Sequence, residues 1–142
     1  PPTAIPPTLT PIPATIVPAT VPASVNLVVV EPFLNPPVPI CRQELVVGMT
    51  IRNDGATATT TGLSRIQVVR VSTGEVFRTS GDALVAVTLN PGQTHRVEFR
   101  FTIDVFTNER HRVEFIADVN SQVAESNEND NRIGVEYPFG AC

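Results

Sequence analysis

The sequence contains no lysine and no tryptophan, and only one tyrosine and one methionine. All ten basic residues are therefore arginines, and a Lys–Asn isopeptide staple is excluded. The arginines form no basic stripe and do not alternate with aromatic residues, so nucleic-acid binding is not expected. The scarcity of tryptophan and tyrosine also disfavours a carbohydrate platform, because such platforms stack sugars on exposed rings.

Signatures of membrane spans and of enzymes are also missing. No apolar run reaches the 18 residues that a membrane-spanning helix requires. The serines lie in no G-x-S-x-G elbow, and no glycine-rich phosphate loop occurs. We therefore predict a protein without catalytic activity and without a cofactor.

The sequence divides into two parts of different composition. Residues 1–24 contain eight of the fourteen prolines and five threonines, and the first charged residue is Glu31. We predict an extended arm over residues 1–24 and one domain over residues 25–142, a length that suits a single sandwich. Since the chain begins at Pro1, we interpret it as a mature or excised chain.

The domain shows β-strand patterns throughout. β-branched residues alternate with polar ones, and turn signals such as Asn53-Asp54-Gly55 and Asn90-Pro91-Gly92 separate the runs. About seven strands at ten-residue spacing indicate an all-β, immunoglobulin-like antiparallel sandwich. The predicted strands are Val25–Glu31, Glu44–Arg52, Arg65–Ser72, Glu75–Thr79, Ala83–Leu89, Thr94–Ile103, Arg112–Val119 and Arg132–Tyr137.

The segment Ala117–Asn131, here called the acidic hairpin, carries a distinctive motif. It reads A-D-V-N-S-Q-V-A-E-S-N-E-N-D-N and resembles the pattern A-D-x-x-N-x-V-x-E-S-N-E-x-N-N of the CARDB family, the cell-adhesion-related domain found in bacteria. Residues 26–29 and 89–94 resemble the opening strand and the L-x-P-G-x-[ST] turn of that family. The resemblance implies an immunoglobulin-like sandwich from extracellular or surface proteins, used for spacing, adhesion or assembly.

Cys41 and Cys142 are the only cysteines. In an immunoglobulin-like topology the first and last strands are neighbours and run parallel, so both cysteines should lie at one pole. A disulfide between them is then geometrically plausible, and it would indicate an oxidising, extracellular location. The alternative is a pair of free thiols.

The acidic hairpin and the two histidines are candidate ligand residues. Hard cations such as Ca²⁺ bind clustered oxygen atoms, although the spacing here is not that of an EF-hand loop. The alternative is a hairpin held by Asx turns and side-chain-to-backbone hydrogen bonds, and we favour it. His95 and His111 have no companion His or Cys nearby and are interpreted as solvated or rim residues. The candidate Ca²⁺ ligands are Asp118, Asn120, Glu125, Glu128 and Asp130.

The arm is uncharged but rich in apolar residues, unlike an ordinary polar linker. From residue 17 onward, apolar residues share one parity, and Pro18 and Pro22 share the other. Such a segment can pair along one edge only, as an added β-strand does. Its candidate assembly residues are Ile5, Leu9, Ile12, Ile16, Val17 and Val21.

We therefore predict a subunit of a cell-surface filament or appendage, in which the arm docks on a neighbouring copy. The alternatives are an adhesion or spacer domain that binds a glycan or protein ligand, with the arm as a stalk stiffened as polyproline II and O-glycosylated on its threonines.

Overall fold

The computed structural model describes residues 2–5, 7–8, 24–81 and 86–142. Its described elements are all strands, so the predicted all-β fold class is confirmed. No helix among these residues is long and apolar enough to cross a membrane. The strands are β1 (Leu27–Asn35), β2 (Glu44–Asn53), β3 (Thr59–Thr60), β4 (Arg65–Arg70), β5 (Val76–Thr79), β6 (Thr88–Leu89), β7 (Thr94–Thr102), β8 (Glu109–Ile116) and β9 (Arg132–Phe139).

Two antiparallel sheets form the sandwich. One sheet has the order β1-β2-β7 and the other β5-β4-β8-β9, while β3 and β6 form a separate two-stranded ribbon. The alternation predicted from the sequence sends every second side chain inward, and the core forms between the sheets. Its members include Leu45, Val47, Met49, Ile51, Val68, Val113, Phe115, Tyr137 and Phe139.

The first strand differs from its prediction. It was expected to stop at Pro32, but β1 runs on to Asn35. The pairing register with β2 shifts between Val30 and Phe33, and Glu31 has a φ of 50°. A bulge on an edge strand is one of the few places where a proline, which lacks an N–H, fits into a sheet.

Other boundaries also shift. β8 begins at Glu109 rather than Arg112 and ends at Ile116, because Asp118, with a φ of 44°, already belongs to a turn. Of the predicted strand Ala83–Leu89, only Thr88–Leu89 is a strand among the described residues, and residues 82–85 lie outside them.

Candidate functional site at the root of the arm

The arm root, Ser24–Asn26, lies between two loops at one pole of the sandwich. On one side is the turn that follows β2, where Ala56 N donates to Ser24 O at 2.8 Å and Asp54 N donates to Asn26 O at 2.8 Å. A Cβ atom at Gly55 would collide with the Ser24 carbonyl oxygen. Glycine is therefore required at this point of the turn.

The acidic hairpin grips the arm root from the other side. Ser126 N donates to Val25 O at 2.8 Å. Asn26 Nδ2 donates to Asp130 Oδ2 at 3.0 Å, and Leu27 N donates to Glu125 Oε2 at 2.7 Å. The point at which the arm leaves the domain is thus fixed by hydrogen bonds on both sides.

Glu125 is the central carboxylate of this grip. Its other oxygen, Oε1, accepts a hydrogen bond from Asn131 Nδ2 at 3.3 Å. Burial raises the pKa of the Glu125 carboxyl above its usual value, and the nearby Glu128 and Asp118 carboxylates add to the rise. The bonds from Leu27 N and Asn131 favour the charged form and oppose it.

The acidic hairpin is shaped by its own side chains. Asp118 is buried, and its Oδ1 and Oδ2 accept hydrogen bonds from Gln122 N at 3.0 Å and Val123 N at 2.8 Å. Asn127 Oδ1 accepts from Asn129 N at 3.1 Å, as in an Asx turn. The favoured interpretation, a hairpin held by side-chain-to-backbone bonds, matches this arrangement.

The candidate Ca²⁺ ligands do not converge on one point. Glu128 Oε1 accepts from Glu125 N at 3.0 Å, and Asn120 is exposed. Each of the carboxylates Asp118, Glu125 and Asp130 accepts hydrogen bonds from other partners, as described above. Within the described residues, no three His, Cys, Asp or Glu side chains come together as metal ligands.

At the opposite pole, Cys41 and Cys142 are joined by a disulfide, with a Cα–Cα distance of 5.1 Å. Cys41 follows β1 and Cys142 follows β9. The arm root at the start of β1 touches the residues just before β9, so the two strands run parallel as predicted. The disulfide and the acidic hairpin therefore tie together the two ends of the same pair of strands.

The described part of the arm is exposed. Residues 2–5 and 7–8 are all exposed, and the Ile5 side chain is 89% accessible. The remaining candidate assembly residues, Leu9, Ile12, Ile16, Val17 and Val21, lie outside the described residues.

The prediction for His111 was wrong. Its side chain is fully buried, and its ring stacks on Phe139 at 4.9 Å and meets the edges of Phe77 and Tyr137. Burial lowers the pKa of His111, although Nε2 bonds to the Phe106 carbonyl at 2.9 Å. His95 is half-buried on β7. Arg110 and Arg112, which flank His111 in the sequence, lie on the opposite face of β8 and are exposed or partly exposed.

The geometry of the acidic hairpin agrees with a sequence comparison. The sequence profile of the CARDB family matches residues 24–134, which include the arm root, strands β1 to β8 and the acidic hairpin.

The chain belongs to the CARDB family.

Solved structures share the fold at low sequence identity. A CARDB domain from Pyrococcus furiosus, solved in complex with di-metal ions, is 18% identical, with a TM-score of 0.62 over 84% of this chain and 97% of that one. A domain of a putative cell surface protein from Methanosarcina acetivorans is 22% identical, with a TM-score of 0.56 over 84% and 93%. No curated protein shows significant sequence similarity to the chain.

The same fold also occurs inside larger enzymes. A Paenibacillus cycloisomaltooligosaccharide glucanotransferase matches 81% of this chain with only 14% of its own length, at 15% identity and a TM-score of 0.58. CARDB itself is a family of non-catalytic domains that are often found in cell-surface proteins. A disulfide suits such proteins, because disulfides persist in oxidising compartments.

Proposed function

We propose that this CARDB chain is an extracellular structural module, a subunit of a cell-surface filament or appendage. In this proposal residues 1–24 form an arm that docks on a neighbouring copy by β-strand addition, and residues 25–142 form the module that receives it. The observation that carries the proposal is a contrast along the arm. Its root is fixed by hydrogen bonds, whereas Ile5 near its tip is 89% exposed.

The free energy of hydrophobic burial favours docking. Each apolar side chain that moves from water into a groove contributes about 25 cal/mol per Å² of buried apolar surface. An arm that lacks charge gains this energy without desolvating an ionised group. A fixed root further reduces the conformational entropy that is lost when the arm docks.

Docking through an arm favours an open polymer. An arm that reaches forward to the next copy makes a heterologous contact, because the donor and acceptor surfaces differ. Such contacts produce filaments whenever the rotation between copies does not close a ring.

The test compares the full chain with a variant of the same length in which the six candidate assembly residues are replaced by serine. We expect the native chain to form concentration-dependent polymers in sedimentation velocity and electron microscopy. The serine variant should remain monomeric with the same unfolding temperature. Polymers of equal size from both chains would refute docking through the arm.

A second candidate function is ligand binding by an adhesion or spacer domain, with the arm as a stalk. A cavity of about 580 Å³ beside the acidic hairpin favours it, since its lining includes the apolar Ile116 together with the polar residues Ser121, Asn129 and Arg132. The single tyrosine, Tyr137, is buried and offers no surface for sugar stacking. Binding of the native chain to a glycan array that an Arg132→Ala variant loses would favour this function.

A further inference from the structure

The sandwich has two sides where edge strands of opposite sheets face each other. On the first side, between β1 and β9, hydrogen bonds and a covalent bond close the gap. Val29 N donates to Asp130 O at 3.1 Å, in addition to the bonds at the arm root. The disulfide closes the other end of the same pair of strands.

The second side lies between β5 and β7. Among the described residues, Arg78 makes polar contacts across it. Its Nε donates to the Thr102 carbonyl at 3.3 Å, and its Nη2 lies 3.5 Å from Asp104 Oδ1. Both contacts lie at the end of β7 nearest the disulfide. Along the rest of β7, no described strand pairs with the edge that faces away from β2.

β7 also has the regularity of a pairing template. It is nine residues long, contains no proline, and keeps one continuous register with β2 from Thr94 to Thr102. The other edge strands are less suited to receive a strand. β1 carries a bulge and Pro32, β5 has four residues, and β9 contains Pro138. Long regular edges without such protection readily accept another strand.

The direction of the backbone hydrogen bonds shows which N–H and C=O groups of β7 face away from β2. The Gln93 and Ile103 carbonyls, at the two ends of β7, accept hydrogen bonds on the β2 side, from Asn53 N and Arg42 N. The Thr102 carbonyl points the opposite way, toward Arg78. Successive residues of a strand face opposite edges, so the even-numbered residues direct their N–H and C=O groups outward. The outward-facing residues within the strand are Arg96, Glu98 and Arg100.

Partly exposed aromatic rings of β7 and β5 lie on this side of the sandwich. Phe99 and Phe101 of β7 pack together with ring centroids 5.3 Å apart and remain partly exposed. Phe77 of β5 is also partly exposed, although it packs against the core. An inserted strand with one apolar face would complete the burial of these rings.

We propose that the free edge of β7 is the acceptor for the arm of a second copy. This inference rests on the proposed function and assigns its docking site. The arm segment around residues 17–23 matches the edge in chemistry. If the arm runs parallel to β7, its apolar parity would face these phenylalanines and its N–H groups would pair with β7. Pro18 and Pro22, on the other parity, would then face the far edge, where no N–H is needed. In an antiparallel arrangement the prolines would face β7, so the sequence favours parallel addition.

A second copy is a better donor than the same chain. The arm root is held beside β1, on the opposite edge of the sheet from β7. Residues 2–5 and 7–8 are exposed and so are not buried against their own domain. The experiment must nevertheless distinguish docking on a second copy from an arm that folds back on its own β7.

The test uses the full chain and two variants at one position. Glu98→Pro removes an outward N–H that β2 does not use, whereas Glu98→Thr removes the same charge and keeps the N–H. We expect Glu98→Thr to polymerise like the native chain. Glu98→Pro should associate about tenfold or more weakly in sedimentation velocity, because a backbone hydrogen bond is lost and the ring blocks the edge.

The outcomes separate the docking site from the proposed function. If Glu98→Pro polymerises like Glu98→Thr while the serine arm variant does not, the arm docks elsewhere and this inference is overturned. If the serine variant also polymerises, the proposed function fails as well. Unfolding temperatures identify any loss that comes from misfolding of the proline variant.

Hydrogen exchange provides a measurement that needs no substitution. In the assembled native chain, the amides of Arg96, Glu98 and Arg100 should exchange more slowly than in the dilute monomer. The amides of Val97 and Phe99, which face β2, should be protected in both states. Protection of the outward amides in the dilute monomer would show that the chain's own arm covers the edge and would overturn docking between copies.

Discussion

The two sides of the sandwich differ in how they are closed. Between β1 and β9, the acidic hairpin bonds to the arm root at one pole and a disulfide joins the strands at the other. Between β5 and β7, Arg78 makes exposed contacts at one end. The comparison indicates that the first side supports the fold and the position of the arm, whereas on the second side no strand among the described residues pairs with the outer edge of β7.

The largest effect on stability should come from removing the disulfide that joins the strands of the first side. Cys41→Ser removes a disulfide that links residues 101 positions apart. For a loop of about 100 residues the chain-entropy model gives about 4.7 kcal/mol, and removal of native disulfides from small secreted domains costs about 2–5 kcal/mol. The measurement is the free energy of unfolding in guanidinium chloride.

Two comparisons make this experiment specific. Cys142→Ser should lose the same stability, and a reductant should destabilise the native chain to the level of both variants. If reduction leaves the midpoint of unfolding unchanged, the disulfide does not stabilise this side. The two sides of the sandwich would then differ less in how firmly they are closed.

The second effect concerns the hydrogen-bonded end of the same side. Glu125→Ala removes the acceptor of the Leu27 N–H, a group on a fully buried residue. An unsatisfied buried donor costs about 1–3 kcal/mol, so we expect a loss of that size in the free energy of unfolding. Amide exchange at Leu27 should accelerate in the same variant.

Glu128→Ala is the matched control for this substitution. Glu128 is an exposed carboxylate of the same hairpin that accepts one bond from Glu125 N. Its removal should cost well under about 1 kcal/mol, as for most exposed surface positions. Equal losses in the free energy of unfolding from both variants would contradict a specific role for the bond between Glu125 and the Leu27 N–H. The hairpin would then affect stability through its net negative charge.

Much of the fold could be predicted because it depends on local patterns. The alternation in β2 and β8 fixes which side chains face the core, and turn residues mark most strand ends. The disulfide could also be predicted, since the expected topology places the strands before Cys41 and Cys142 side by side. These predictions need only the strand order and the period of two.

Features that depend on contacts between distant segments were missed. The role of Glu125 follows from a neighbour 98 positions away in the chain, and nothing near it in sequence identifies Leu27 as its partner. The burial of His111 results from rings contributed by β5 and β9. The extension of β1 past Pro32 required knowing that β1 is an edge strand, because a proline would break a central one.

The smallest effect should come from the second side. Arg78→Met keeps the aliphatic stem of the side chain but removes its contacts with the Thr102 carbonyl and Asp104. Asp104 is 53% exposed, and exposed ion pairs contribute about 0–1 kcal/mol. The free energy of unfolding should therefore change by less than about 1 kcal/mol. A loss as large as that of Glu125→Ala would show that this side is closed as firmly as the first. In that case β7 would have to be released from β5 before a second copy could dock, and polymerisation of the Arg78→Met variant would be faster than that of the native chain.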